Sequence, residues 1–213
     1  MAGIRGCRDR RRNRVENASP GGRPLTVVAS KYARKPQDLY ETEPWATRAL
    51  LQFFPVAGLS VWEPAAGNHL MAGVLRESGA AGVVTSDIAV YDRPHDSLFD
   101  FLKEPAKRTK CDAIITNPPY GPGNRDAARF ARLALQRCDG LVALLLTAKF
   151  DFGSTRRDLF RDNPRFRAKI ALTDRLSWTL DGETGTEDHA WYAWAPTSWM
   201  PMTPMLLYAG KDR

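Results

Sequence analysis

Cysteine is scarce in this chain. Three stand among 213 residues, Cys7, Cys111 and Cys138. An odd, scattered set gives neither a disulfide framework nor the paired spacing of a zinc site. A disulfide-stapled secreted scaffold and a structural metal site are therefore excluded, and a reducing, cytoplasmic setting is expected. Long apolar runs are missing too. The longest, Leu141–Leu146, falls far short of the roughly 20 residues of a spanning helix. The Arg-rich first residues have no apolar stretch behind them, so no secretory signal is expected. There is no internal repeat and no composition break within 32–213, so one domain with a full core is expected.

Negative charge is the minority, 24 Asp and Glu against 31 Lys and Arg, for a net charge of +7. The surplus is uneven. Residues 1–24 hold seven arginines against Asp9 and Glu16, which leaves the other 189 residues with +2. A basic chain points to a polyanion partner, but here most of the excess sits in residues 1–30, which lack apolar periodicity. The expected organisation is a basic, disordered tail over 1–30 and a folded domain over 31–213.

Within that domain the apolar pattern alternates between two periods. Helices are expected over Glu43–Phe54, His69–Ser78, Asp126–Cys138 and Thr155–Arg161. Strands are expected over Leu59–Trp62, Gly82–Thr85, Ala113–Thr116, Leu141–Thr147 and Ala168–Leu172, with His189–Ala195 and Met205–Ala209 as a terminal strand pair. Alternating strands and helices imply an α/β fold, a Rossmann-like sheet that is mostly parallel with an antiparallel last strand. Right-handed crossovers then bring the strand carboxyl ends to one edge, where ligands bind.

The chemistry-bearing residues follow three of those strands. The first ends in Glu63-Pro64-Ala65-Ala66-Gly67, a glycine turn that lets backbone approach a ligand, with a carboxylate suited to an amino group or hydroxyls. The second ends at Asp87, 24 residues after Glu63, where an acidic residue can hold a ribose diol. The third runs into Asn117-Pro118-Pro119-Tyr120. Two prolines stiffen the chain beyond the strand and fix an amide, a carbonyl and an aromatic ring together. Those groups suit a planar amine, with two acceptors for its hydrogens and a ring for its π-face.

Taken together, these segments resemble the class I S-adenosylmethionine-dependent methyltransferases. More closely, they resemble the small phage- and prophage-type methylases that modify N6 of adenine in DNA. Tyr40-Glu41-Thr42-Glu43-Pro44, Asp100-Phe101-Leu102 and His189-Ala-Trp-Tyr-Ala-Trp194 are similar to further segments of that group, over about residues 36–209. The resemblance implies S-adenosylmethionine as cofactor. Tyr40 and Thr42 would lie at its methionine end, Glu63, Ala65 and Gly67 at its amino acid and sulfonium, Asp87 at its ribose, and Asp100 and Phe101 at its adenine. It also implies that Asn117, Pro118, Pro119 and Tyr120 hold the target amine for in-line attack, with reacting atoms about 3–3.5 Å apart. One departure stands out: the family usually places a second glycine two residues after the first, and this chain has Asn68-His69 there.

The implied partner is DNA, with no metal and no membrane. The basic stretch of Arg156, Arg157, Arg161, Arg165, Arg167 and Lys169 can meet phosphate or form a solvated face. The polar segment with Trp178 can contact a base or be a surface loop. With 93 residues after Tyr120, a separate target-recognition domain is not expected. Two other readings stay open: methylation of an RNA base or a protein glutamine amide, since each is a planar amine, and a non-catalytic nucleic-acid-binding relic.

Overall fold

Seven residues, Leu141–Thr147, form the centre of the sheet and six of them are buried. In the computed structural model, residues 40–103, 110–178, 184–199 and 203–211 are described; the expected basic tail lies outside them. They contain helices α1 (Pro44–Leu51), α2 (Leu70–Glu77) and α3 (Arg125–Arg137), and strands β1 (Ser60–Glu63), β2 (Gly82–Asp87), β3 (Ser97–Leu98), β4 (Ala113–Thr116), β5 (Leu141–Thr147), β6 (Phe166–Leu172), β7 (His189–Trp194) and β8 (Met205–Ala209). The sheet order is β3-β2-β1-β4-β5-β7-β6-β8.

A continuous apolar run suits a strand covered on both faces, and β5 is one. Leu141, Ala143 and Leu145 join one core cluster with Ala46 and Leu50 of α1 and Met71 and Leu75 of α2. Val142, Leu144 and Leu146 join the other with Ala127, Phe130, Ala131 and Ala134 of α3. The alternation has the strand period of two. Burial of each Leu contributes about 1.5–3 kcal/mol. The two indoles of β7 are satisfied: Trp191 Nε1 donates to the Ala46 carbonyl at 2.7 Å and Trp194 Nε1 to that of Leu159 at 2.6 Å.

Parallel pairing joins β2 to β1, β1 to β4 and β4 to β5. β7 runs antiparallel to both β5 and β6. It is the expected antiparallel strand, but it is not the last in the chain. The expected terminal pair is not a pair: β6 lies between β7 and β8, and β8 is parallel to it. The cause is readable in the residues. Every residue of β7 is buried, so it needs the interior of the sheet. In β8 Leu206 and Tyr208 are exposed, which suits an edge.

The expected helix over Thr155–Arg161 is absent; only one 3-10 turn forms, Ser154–Arg156. Arg132 of α3 takes the Thr155 carbonyl at 2.9 Å and both oxygens of Asp158 at 2.6 and 2.9 Å. The backbone closes in successive three-residue turns, Leu159 N–H to the Arg156 carbonyl at 3.0 Å and Phe160 N–H to that of Arg157 at 3.2 Å, in place of a continuous α-helical ladder.

Candidate active site

β1 has β2 on one side and β4 on the other, so the chain order reverses at its carboxyl end. Such a point opens a crevice for ligands. Trp62 lies opposite Ile114, so Glu63 and Asn117 emerge from the same edge.

The turn after β1 is tied to the end of β2. The Ala66 N–H donates to the Ser86 carbonyl at 3.1 Å and the Gly67 N–H to Asp87 Oδ2 at 3.0 Å. Asp87 Oδ1 accepts the Ile88 N–H at 2.7 Å. Gly67 has φ +47° and His69 has φ +67°. His69 stands where the resembled family carries its second glycine. The backbone keeps the left-handed conformation, which costs a side-chain-bearing residue about 1–2 kcal/mol. The two side chains close this turn. Asn68 Nδ2 donates to Glu41 Oε1 at 2.9 Å and Asp92 Oδ2 at 3.1 Å, and His69 Nε2 lies 2.9 Å from His95 Nδ1.

Glu63 is 2% exposed and its Oε2 has no hydrogen-bond partner. Burial pushes its carboxyl well above the ordinary range, against the Ala72 backbone N–H and Arg76, with Asp87 adding to the rise. A buried carboxyl with an open oxygen is costly unless a donor arrives.

Beyond β4, Asn117 Nδ2 donates to the Tyr40 carbonyl at 3.4 Å. That bond turns the amide oxygen to the other side, as the acceptor left for a ligand. Tyr120 donates its hydroxyl to the Leu145 carbonyl at 3.2 Å, and burial raises its phenol pKa beyond the ordinary range. Four rings follow in succession: Tyr40 meets Trp178 edge-on at 5.7 Å, Trp178 meets His189 edge-on at 5.0 Å, and His189 lies over Tyr120 at 6.2 Å. The Tyr40–Thr42 segment and the Trp178 loop are joined by Glu43, which accepts the Ser177 N–H at 2.8 Å and Lys211 Nζ at 3.0 Å. Tyr40, Trp178, Asn117 and Tyr120 thus share one edge.

One expected cofactor contact is enclosed in the core, and the basic stretch divides between several places. The Phe101 ring is committed to the core: it is 2% exposed, Phe130 stacks on it at 3.9 Å, and the Arg137 guanidinium lies 4.0 Å from its centroid. It has no face for an adenine. Asp100 is partly exposed; its Oδ1 accepts the N–H groups of Leu102 and Lys103 at 3.0 and 3.2 Å. The basic stretch is not one phosphate face. Arg165 takes the carbonyls of Leu135, Cys138 and Gly140, Arg167 those of Pro164 and Phe166, and Lys169 bonds Asp151 and the Ala148 carbonyl. Arg161 pairs with Asp162 at 2.7 Å in a groove with Phe166 and Pro204, at the amino edge of β6 and β8, the edge opposite Asn117. Arg157 lies 3.5 Å from the same Asp162. The Arg156 guanidinium lies over the Phe150 ring at 4.6 Å and donates to the Phe152 carbonyl.

Two further residues at this edge carry only weak signals in the sequence. Ile88 is 59% exposed beside Asp87, an apolar surface next to the carboxylate. His189 is buried at the head of β7; its signal is a lone histidine opening an apolar strand. Among the described residues no group of three or more His, Cys, Asp or Glu could hold a metal ion, and no helix is long and apolar enough to cross a membrane.

No family model matches the chain, and no curated protein matches it. Solved structures do. A candidate RNA methyltransferase from Pyrococcus horikoshii superposes with a TM-score of 0.55 at 14% identity, over 71% of this chain and 81% of that one. A modification subunit of a candidate type I restriction enzyme from Vibrio vulnificus gives 0.56 at 14%, over 80% of this chain and 46% of that one. A candidate class I S-adenosylmethionine-dependent methyltransferase from Listeria monocytogenes gives 0.52 at 12%, over 77% and 62%. The fold is that of the class I S-adenosylmethionine-dependent methyltransferases. In this methyltransferase fold the β1 turn, the β2 carboxylate and the β4 motif meet at one strand edge, and β8 extends the sheet beyond β6. The chain spans under half of the Vibrio subunit.

Proposed function

We propose that the chain transfers a methyl group from S-adenosylmethionine to an exocyclic amine, N6 of adenine in DNA. The observation that carries this reading is the orientation of Asn117, whose amide nitrogen is held by the Tyr40 carbonyl. Its oxygen is thereby presented as an acceptor, in sequence with the Pro118 carbonyl and the Tyr120 ring.

The chain's residues fit the cofactor. Glu63 offers a buried oxygen without a partner, the complement of the cofactor's ammonium. Asp87 holds the Gly67 and Ile88 N–H groups and keeps lone pairs for ribose hydroxyls. Tyr40, Thr42, Ala65 and Gly67 would hold the methionine end, and Asp100 would lie toward the adenine. When bound, the cofactor supplies a sulfonium methyl, which the amine nitrogen takes as the carbon–sulfur bond breaks.

An adenine amine is a poor nucleophile because its lone pair is delocalised into the ring. The Asn117 Oδ1 and the Pro118 carbonyl would accept its two hydrogens and turn the lone pair outward. As the nitrogen gains positive charge, those oxygens and the Tyr120 ring stabilise it. One proton then leaves the nitrogen to water. Trp178, beside Tyr40 and His189, would contact the base, which a duplex must flip out at a cost of a few kcal/mol.

The choice of DNA rests on the resemblance of the Tyr40–Pro44, Glu63–Gly67 and Asn117–Tyr120 segments to the adenine methylases, and a modification subunit of a candidate type I restriction enzyme is among the fold's neighbours. An intact Asn117 arrangement speaks for catalysis over a binding relic. The test is incubation with methyl-labelled cofactor and, separately, DNA, RNA and protein, followed by digestion. N6-methyladenine from DNA is expected. Label only in RNA or glutamine overturns the substrate, and label in none of them overturns the reaction.

A further inference from the structure

Two thiols meet at the amino edge of the sheet, and the methyl-transfer scheme uses neither. Cys111 precedes β4, and Cys138 closes the end of α3, 27 residues later. Cys138 is 1% exposed and Cys111 is half-buried. The pairing of β4 with β5 brings them together. Leu141 lies opposite Ala113, and the Leu141 N–H donates to the Asp112 carbonyl at 2.9 Å. Gly140 packs so tightly on that carbonyl that a Cβ there would collide with it. The Cys138 Sγ lies 3.6 Å from the Cys111 carbonyl oxygen, and the two thiols hydrogen-bond to each other. Sulfurs in mutual contact, on backbones this close, suit a disulfide, whose Cα atoms stand about 4.4–6.8 Å apart.

The pair is chemically asymmetric. The Cys111 thiol, the Gly140 N–H and the Arg165 guanidinium hold the Cys138 thiol below its ordinary range, against its burial. The bond to Cys138 and burial push the Cys111 thiol up. Arg165 is fixed beside them by the carbonyls of Leu135, Cys138 and Gly140. The thiolate is the attacking form of a cysteine. The buried sulfur is therefore the better nucleophile, and the half-buried one is the sulfur that a small reagent reaches.

We propose that Cys111 and Cys138 are a modification site that forms a reversible disulfide with a small disulfide, such as glutathione disulfide, as oxidant. In the first exchange the Cys111 sulfur attacks the reagent. A mixed disulfide forms, the reagent's sulfur–sulfur bond breaks, and one glutathione leaves with the Cys111 proton. In the second, the Cys138 sulfur attacks Cys111 Sγ. The mixed disulfide breaks, and the second glutathione leaves with the Cys138 proton. The protein gives up two electrons and two protons, and the reagent takes both. The covalent loop encloses β4, the Asn117–Tyr120 motif and α3. Oxidation thus staples the segment that carries the motif, from the edge opposite to it.

The test uses the full chain with Cys7→Ser, which leaves the pair as its only cysteines. The folded protein is incubated with glutathione disulfide and quenched in acid. It is then alkylated with N-ethylmaleimide in denaturant and mapped by mass spectrometry without reduction. The expected product is two hydrogens lighter, takes up no alkylating reagent, and yields one linked peptide pair joining Cys111 to Cys138. Its Tm should rise by about 5–10 °C, and dithiothreitol should reverse the rise. Cys111→Ser or Cys138→Ser should abolish both the linkage and the shift.

A folded protein that keeps both thiols free, holds glutathione on either as its end product, or links two chains overturns the inference. A linked product whose Tm is unchanged or lower overturns the staple. Should Cys7→Ser fail to fold, the same map of the wild-type chain decides, since the linked peptides identify the cysteines. A bridge to Cys7 in its place overturns the pairing. None of these outcomes depends on methyl transfer.

Discussion

The two edges of this sheet use polar side chains in opposite ways. At the amino edge most of them close the protein on itself, with Nε and Nη2 of Arg167 left over as buried donors. Arg165 gathers three carbonyls at the end of α3 and the start of β5, and Asp112 binds both the backbone N–H and the hydroxyl of Ser60 at 2.8 and 2.7 Å. At the carboxyl edge three polar groups stay open. Glu63 keeps a buried oxygen without a donor and His189 a buried nitrogen without a partner, while Asn117 is oriented by one end only. A domain tolerates such groups where something outside the chain completes them. The density of charge in the sequence pointed to the basic stretch. The buried carboxylate oxygen of Glu63, left without a donor, points to the opposite edge.

That contrast can be broken first at Asn117. Asn117→Ala should lower methyl transfer by about 100- to 1,000-fold while changing cofactor affinity less than about threefold, in a labelled-transfer assay beside calorimetry. Retained activity would remove the carboxyl edge's central residue from the chemistry. Arg165→Ala should do the reverse. It should cost about 2–3 kcal/mol in urea unfolding, because charge-assisted bonds to three carbonyls go at once, with kcat/KM of the folded protein unchanged.

The next effect comes from His189. Its folded pKa of about 4 lies below the ordinary value of 6.5. Protonation therefore favours the unfolded chain, and the stability it supports is full above pH 6.5 and is lost as pH falls toward 4. Unfolding at pH 7 and pH 5 should differ by about 2 kcal/mol from this group, and His189→Phe should remove that part of the slope. The smallest effect belongs to Arg161. Paired with Asp162 on the surface, it should change DNA affinity less than about twofold when replaced by Ala. A large loss, with a reduced salt slope, would return the amino edge to the binding surface.

Much of this was legible in the residues. The apolar run Leu141–Thr147 marks the sheet's centre because a strand covered on both faces needs no alternation. The three motifs fall at the ends of β1, β2 and β4 because each joins a strand to a turn, where local signals are strong. What the sequence hid was long-range. Nothing in Thr155–Arg161 reveals that Arg132, 23 residues before Thr155, captures its carbonyl. Nothing in the Asp100-Phe101 segment reveals that Phe130 and Arg137 occupy the Phe101 ring. The β7–β6–β8 order depends on which strand is buried on both faces, which His189–Trp194 did display in its composition. His69 shows the limit of pattern matching, because the left-handed turn persists without the glycine.

The most direct test of the open carboxyl edge is calorimetry of S-adenosylmethionine binding across pH, in buffers of different protonation enthalpy, with wild type and Glu63→Gln. Burial raises the Glu63 pKa, so in the free protein it holds a proton well above pH 4.5, and pairing with the cofactor's ammonium requires the carboxylate. Binding should release a proton, and affinity should strengthen as pH rises through the raised pKa, with both effects absent in Glu63→Gln. Binding with no proton release and no loss in Glu63→Gln, or no binding at all, would contradict the account.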